Sequence, residues 1–174
     1  MMNRILIIGC GGSGKSTLAR RLGERLSLPV WHLDRLFWRS GWVNVSNDEF
    51  DNRLRDVLNT PCWVIDGNYD RTLPQRLLSC DTVIYLDYSR FTCLCGVFWR
   101  VIANHGRSRP DMAEGCPERL DSEFLHWIWS YRKTHRARNL TLLVQAEAEG
   151  TYVLRFTGRS ACRRWLNALP YARK

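Results

Sequence analysis

Lysine is nearly missing from this 174-residue chain: of 26 basic residues only Lys15, Lys133 and Lys174 are lysines, which leaves 23 arginines. Long apolar runs are missing too. The longest are Ile5 to Ile8, Val83 to Leu86 and a stretch from Phe91 to Ala103 broken by Arg100, all short of the roughly 20 residues that cross a bilayer, so no membrane partner is expected. No repeat, low-complexity tract or Pro/Gly/Ser linker divides the sequence. The seven cysteines (10, 62, 80, 93, 95, 116 and 162) are odd in number and never spaced C-x-x-C, which argues against a disulfide framework and against a structural metal. With no apolar signal segment ahead of them, a reduced cytoplasmic setting is expected. Cys93 and Cys95 lie in an apolar stretch without further ligands at metal spacing, so both read as buried thiols.

What is present is ordinary for a folded domain: 45% apolar and 25% charged residues, enough for one compact core over residues 1–174 and inconsistent with a disordered tail or a collagen-like rod. The net charge of +9 is carried almost wholly by guanidinium forks, which suit phosphate oxygens. A polyanionic partner follows, whether nucleotide, phosphorylated metabolite or nucleic acid.

Short apolar runs alternate with stretches of helical periodicity, an α/β signature. Strands are expected at Arg4 to Ile8, Pro29 to Leu33, Cys62 to Ile65, Thr82 to Leu86 and Tyr152 to Phe156. Between them, Leu18, Leu22 and Leu26 mark a helix from Lys15 to Leu26, and Ser46 with Glu49 forms a capping box for a helix running to Leu58. A short helix around Leu73 to Leu78, a longer one from Ser89 to Asn104, and helical spacing at Phe124, Ile128 and Tyr131 follow. Leu140 to Glu147 reads as helix, although Leu140 to Val144 fits a strand equally, and Ser160 is placed to cap a last helix. Residues 105–121, with Gly106, Pro110, Gly115 and Pro117 among charged side chains, read as an irregular surface excursion and a lid.

Gly9, Cys10, Gly11, Gly12, Ser13, Gly14, Lys15 and Ser16, followed by Thr17, fill the pattern G-x-x-x-x-G-K-[ST] between a strand and a helix. In such a phosphate-binding loop the glycines turn backbone N–H groups inward around phosphate oxygens, and the helix that follows aims its positive end at the same anion. Lys15 would reach the β and γ phosphates, and the Ser16 hydroxyl is placed for Mg²⁺. Gly9, Gly11 and Gly14 also satisfy G-x-G-x-x-G, with Asp34 20 residues after Gly14 as a dinucleotide fold requires. Lys15 followed by Ser16 favours the magnesium triphosphate over the dinucleotide.

Ligands of an open parallel sheet sit beyond the carboxyl ends of its strands, where Asp34, Asp66 and Asp87 fall. Phosphoryl transfer uses one acid for the hydration shell of Mg²⁺ and another for the acceptor's proton. Asp66 and Asp87 are the candidates for the metal, with helix capping or a turn as the alternative use. Asp34 is the candidate for orienting the acceptor or serving as base. Arg107, Arg109 and Arg119 lie in the excursion, with Arg132, Arg136 and Arg138 beyond it, so closure could bring guanidinium groups onto the transferred phosphate. Arg71, five residues after Asp66, is placed to grip a phosphate on the acceptor. Trp31, Phe37, Trp38 and Trp42 around Asp34 read first as core packing, with stacking on a planar acceptor as the alternative. His105, His126 and His135 show no ligand or triad spacing and read as surface residues.

The order of these motifs resembles the adenylate-kinase-like branch of the P-loop kinases over essentially the whole chain. Within that branch, His32-Leu33-Asp34, Ile65 to Tyr69, Arg107 to Met112 and Gly115 to Arg119 resemble the bacterial DNA topology modulation proteins, the FlaR-like group. The resemblance implies a three-layer P-loop NTPase fold with a five-stranded parallel sheet and a short arginine-rich lid, ATP binding with Mg²⁺, and kinase chemistry on a small-molecule acceptor. The chain differs from adenylate kinases in lacking a zinc-type cysteine set in the lid and in the region between Asp34 and Thr60, so AMP is not the expected acceptor. The rival expectations are a nucleotide-controlled protein that binds DNA and modulates its topology, and a bare nucleotide hydrolase.

Overall fold

The computed structural model describes residues 2–118 and 121–172. Ile5 to Ile8 are all buried, as a strand covered on both faces demands, and they form the middle of the sheet. In chain order the first elements are β1 (Arg4–Gly9), α1 (Lys15–Leu26), β2 (Val30–His32), α2 (Leu33–Phe37), β3 (Trp38–Arg39) and β4 (Val43–Asn44). Next come α3 (Asn47–Leu58), β5 (Trp63–Asp66), α4 (Leu73–Ser79), β6 (Thr82–Leu86) and α5 (Arg90–Asn104). The chain continues with α6 (Ser122–Thr134), α7 (Arg136–Ala148), β7 (Tyr152–Phe156) and α8 (Arg159–Ala168). Five strands lie parallel in the order β2-β5-β1-β6-β7.

Strand alternation sorts the side chains into two cores. Ile5 and Ile7 of β1, Val64 of β5, and Ile84 and Leu86 of β6 pack on one face with Leu18 and Leu22 of α1, Val97 of α5, Ile128 of α6 and Leu166 of α8. Leu6, Ile8, Trp63, Ile65, Val83 and Tyr85 turn to the other face, against Phe50 and Leu54 of α3, Leu73 and Leu77 of α4, and Leu143 and Ala146 of α7. The result is a three-layer α/β fold with a five-stranded parallel sheet.

Several local expectations change. The second strand stops at His32, because the buried Leu33 opens α2, and Asp34 becomes a helix residue instead of a strand end. The segment 140–144 is helical: Leu143 and Ala146, three apart, supply the buried stripe of α7. The last helix starts one residue before Ser160, with extended Gly158 as its N-cap and no side-chain cap. Cys93 is buried as expected, but Cys95, two residues on, falls on the outer face of α5 and is exposed. That outer face also leaves Phe91, Phe98 and Ile102 exposed.

The hairpin of β3 and β4, two residues each, is too short to show a period in the sequence. Phe37 before it packs edge-on against Phe50 and at a tilt on Tyr69, at 5.4 and 5.0 Å between ring centres. After α5 the chain is irregular through residue 118, apart from isolated bridges His105 to Glu118 and Ser108 to Pro117. It rests on the hairpin region, where Gly41 N donates to Gly115 O at 2.9 Å and the Cys116 thiol donates to Arg39 O at 3.2 Å. Among the described residues, no helix is long and apolar enough to cross a membrane.

Candidate functional site

The loop from Gly9 to Gly14 leaves β1 in the middle of the sheet and enters α1. At Gly12 (φ +74°) a Cβ would sit 2.2 Å from the Cys93 carbonyl oxygen, so only glycine lets α5 close down on the loop. A Cβ at Gly14 would meet no atom within 4 Å, so it is the left-handed backbone of the turn into α1 (φ +94°), and not a lack of space, that calls for glycine there. Lys15 Nζ curls back to donate to the Gly9 and Cys10 carbonyls at 2.9 and 3.0 Å. Desolvation pulls the Lys15 pKa down, with Asp66 opposing it. The Ser13 hydroxyl is buried, borders the cavity, and has no hydrogen-bond partner among the described residues. A buried hydroxyl in that condition is costly unless a ligand oxygen completes it.

Asp66 closes β5 on the same face as Val64, toward α1. Its Oδ2 accepts from the Ser16 hydroxyl at 2.7 Å. Its Oδ1 is hydrogen-bonded to His32 Nδ1, the residue directly opposite in the parallel register of β2 and β5. The turn that follows is fixed by Arg76. This guanidinium has no exposed surface and donates to the carbonyls of Gly67 (3.0 Å), Asn68 and Tyr69 (3.0 Å). The clamp holds Tyr69 in the left-handed region, φ +38°. It also presents Asn68, whose Oδ1 accepts from Gly9 N at 3.1 Å. The Tyr69 hydroxyl donates to Asp34 Oδ1 at 2.7 Å. Burial raises the Asp34 pKa and Asp66 adds to it, while the Tyr69 hydrogen bond and Lys15 partly offset the rise.

The third wall comes from the excursion after α5. Arg109 donates to Asp111 at 2.6 Å and lies 2.6 Å from a Glu118 oxygen, and Arg100 of α5 donates to the other Glu118 oxygen at 2.8 Å. Asp111 is buried. Burial alone would raise its pKa, but the Arg109 guanidinium, with a smaller share from His32, outweighs that and holds it below the usual carboxylate value. These walls enclose a cavity of about 790 Å³ that runs from Asp34, Tyr69, Arg109 and Asp111 across the loop to Arg20, Arg21, Arg159 and Arg163. Phe124 and Trp127 of α6, stacked 5.8 Å apart, line its roof.

The structure brings together Gly11, Gly12, Ser13, Gly14, Lys15, Ser16, Thr17, Asp34, Asp66 and Arg109 around this cavity. Other residues singled out in the sequence lie elsewhere. Asp87 does not line the cavity: it is held by Arg136 at 2.9 Å and Arg155 at 2.6 Å on the α7 side of the sheet, away from Ser16. Arg71 is an exposed bidentate partner of Asp51 in α3, at 2.7 and 2.8 Å, and is not among the residues that line the cavity. Arg107 is exposed and away from the cavity, Arg138 turns to Asp70, and Arg119 lies outside the described residues. His135 is half-buried against Asp70, with 2.5 Å between Nδ1 and Oδ2, instead of free at the surface.

The sequence reading missed Asn68, Arg100, Asp111 and Glu118 as site residues. Asn68, Asp111 and Glu118 lie in the motifs around Asp66 and Arg109, whereas Arg100 showed only as a break in an apolar stretch. Arg159, whose Nη2 donates to the Gly12 carbonyl at 3.1 Å, carried no local signal.

No family model matches this chain, and no curated protein matches it in sequence. Solved structures do match. A shikimate kinase from Acinetobacter baumannii, in complex with shikimate, aligns over 96% of this chain and 90% of its own, with 15% identity and a TM-score of 0.56. A shikimate kinase from Bacteroides thetaiotaomicron aligns over 96% and 95%, with 17% identity and a TM-score of 0.54. At such identities the likeness is one of fold alone.

Proposed function

We propose that the chain is an ATP-dependent phosphotransferase that moves the γ-phosphoryl group of a magnesium nucleotide to a hydroxyl of a small molecule. The observation that carries this reading is the buried Ser13 hydroxyl, without a partner among the described residues, in a loop where Lys15 and Ser16 border the same cavity. All three suit phosphate oxygens. Ser16 and Asp66, hard oxygen donors already 2.7 Å apart, are the residues that would hold Mg²⁺, which neutralises charge on the donor phosphates when bound.

On this reading Lys15 exchanges its two carbonyl partners for phosphate oxygens. Asp34 orients the acceptor hydroxyl and takes its proton, as the hydroxyl oxygen forms the new bond to phosphorus and ADP leaves with the electron pair of the broken bond. Arg109, fixed by Asp111 and Glu118, faces the charge that develops between them. Residues 105–121 serve as the lid, and the whole of 1–174 works as one catalytic domain. The kinship with the DNA topology modulation group belongs to the same reading, since His32, Asp34, Asp66 to Tyr69, Arg109 and Asp111 all gather at the site.

The +9 charge motivates the rival, DNA binding. The net excess is unchanged by internal pairing, but seven of the arginines are already engaged within the chain, by Glu49 on Arg39 and Arg53, Asp51 on Arg71, Asp87 on Arg136 and Arg155, and Glu118 on Arg100 and Arg109. Lys15→Ala tests the proposal. Its fold, followed by circular dichroism, is expected to persist, while ATP-dependent transfer to an acceptor panel falls about 100- to 1,000-fold. Shikimate belongs in that panel because one structural neighbour holds it. Unchanged transfer in the variant, or no calorimetric heat when MgATP meets the parent, overturns the reading.

A further inference from the structure

The two ends of the cavity differ in charge. Toward α1 and α8 it is bordered by Arg20, Arg21, Arg159 and Arg163, the end that the phosphotransferase reading gives to the nucleotide. Toward α2 and the excursion it is bordered by the carboxylates of Asp34, Asp66 and Asp111. The cations described at that end are already answered. Arg109 is held between Asp111 and Glu118, and Arg100 is held by Glu118, whose side chain is buried. Arg71, the residue placed by its spacing to grip an acceptor phosphate, is spent on Asp51. Arg76 is buried and satisfied by backbone carbonyls. Asp34 meanwhile accepts at one oxygen from Tyr69, leaving the other for a donor on a ligand.

From this asymmetry we propose that the acceptor carries no anionic group: it is an uncharged or cationic hydroxyl compound, such as a nucleoside, a sugar or an amino alcohol. The proposal rests on the phosphotransferase reading above and narrows it. An acceptor phosphate or carboxylate at this end would face Asp34 or would have to take Arg109 from its two carboxylates, and like charges juxtaposed at a binding site cost affinity. Hydroxyl and ammonium donors instead complete the free valence of Asp34. The tilted ring of Tyr69 and the Phe124–Trp127 pair give such a molecule apolar walls.

The test uses the full chain with MgATP and acceptors in matched pairs that differ only in charge: a nucleoside against its 5′-monophosphate, a sugar against its phosphate, and a hydroxy acid against its methyl ester. The uncharged member is expected to win in kcat/KM by about tenfold or more wherever a pair is turned over. Glu118→Gln, which releases Arg100 and Arg109 from one carboxylate, is expected to shift that ratio toward the anionic member. Preference of the parent for the anionic member overturns the charge assignment and leaves the kinase reading standing. A ratio unmoved by Glu118→Gln in a folded variant removes the neutralised arginines as its cause and overturns the argument made from them. Bound MgATP with transfer to neither member of any pair overturns the kinase reading itself, and the proposal with it.

Discussion

Asp66 and Asp87 end strands that flank β1 on opposite sides, and each is almost fully buried, with 4% and 5% of its surface exposed. Their neighbours have nothing in common. Asp66 receives a hydroxyl from the phosphate loop and the imidazole of His32, whereas Asp87 receives two guanidinium groups from α7 and β7. The difference is one of strand parity. Asp66 is two residues after Val64, which faces α1, and so it faces α1 as well. Asp87 is two residues after Tyr85, which faces α7, and one step past Leu86. A single residue of register decides whether a strand-end acid meets the loop or becomes a structural ion pair.

Breaking the comparison begins with Asp66→Asn. It is expected to lower transfer about 100- to 1,000-fold, far more than the stability loss of about 1–2 kcal/mol that follows from disturbing its bonds to Ser16 and His32 would explain. The next effect lies beneath the turn that Asp66 opens. Arg76→Met removes the donors for three backbone carbonyls in a fully buried position, and urea unfolding is expected to show a loss of about 3 kcal/mol or more. Activity falls with it, because Asn68 and Tyr69 lose the geometry that brings them to Gly9 and Asp34. At the other strand end, Asp87→Asn is expected to cost about 1–2 kcal/mol of stability, after discounting for screening at the half-exposed Arg155. It leaves transfer close to the parent. Equal losses of transfer in the Asp66 and Asp87 variants would erase the distinction.

Much of this was legible in the sequence because it depends on local pattern. The loop from Gly9 to Thr17 announces itself by spacing, β6 and β7 match their apolar runs residue for residue, and the Ser46 cap accepts from Glu49 N at 3.2 Å as its spacing implies. What was not legible depends on which distant chain segment arrives. Arg71 looks suited by its spacing to an acceptor phosphate, and only the approach of α3 with Asp51 shows what it is paired with; the buried role of Arg76 beneath the turn had no signal at all. Asp87 was open to a parity argument, but that needed the strand limits to within one residue, and β2 shows how a limit slips when a buried leucine begins a helix. Asp111 and Glu118 sit in irregular chain with no period to reveal a facing direction.

The smallest effect separates the two acids that do border the cavity, Asp34 and Asp66. Burial, with Asp66 nearby, lifts the Asp34 pKa above its ordinary value, so the folded chain holds that proton more tightly than the unfolded chain does. Stability from this group is therefore greatest below the unfolded carboxylate range and is lost as pH rises through the folded pKa, and at neutral pH the fold carries the cost of the charge. Asp34→Asn keeps an acceptor for the Tyr69 hydroxyl and discards that charge. It is expected to melt a few degrees higher than the parent at pH 7 and to show no advantage at pH 4, while transfer is lost because the amide cannot take the acceptor's proton. A variant that melts lower than the parent at pH 7 would mean that Asp34 is held by partners stronger than Tyr69, and its role as the proton acceptor would have to pass to Asp111.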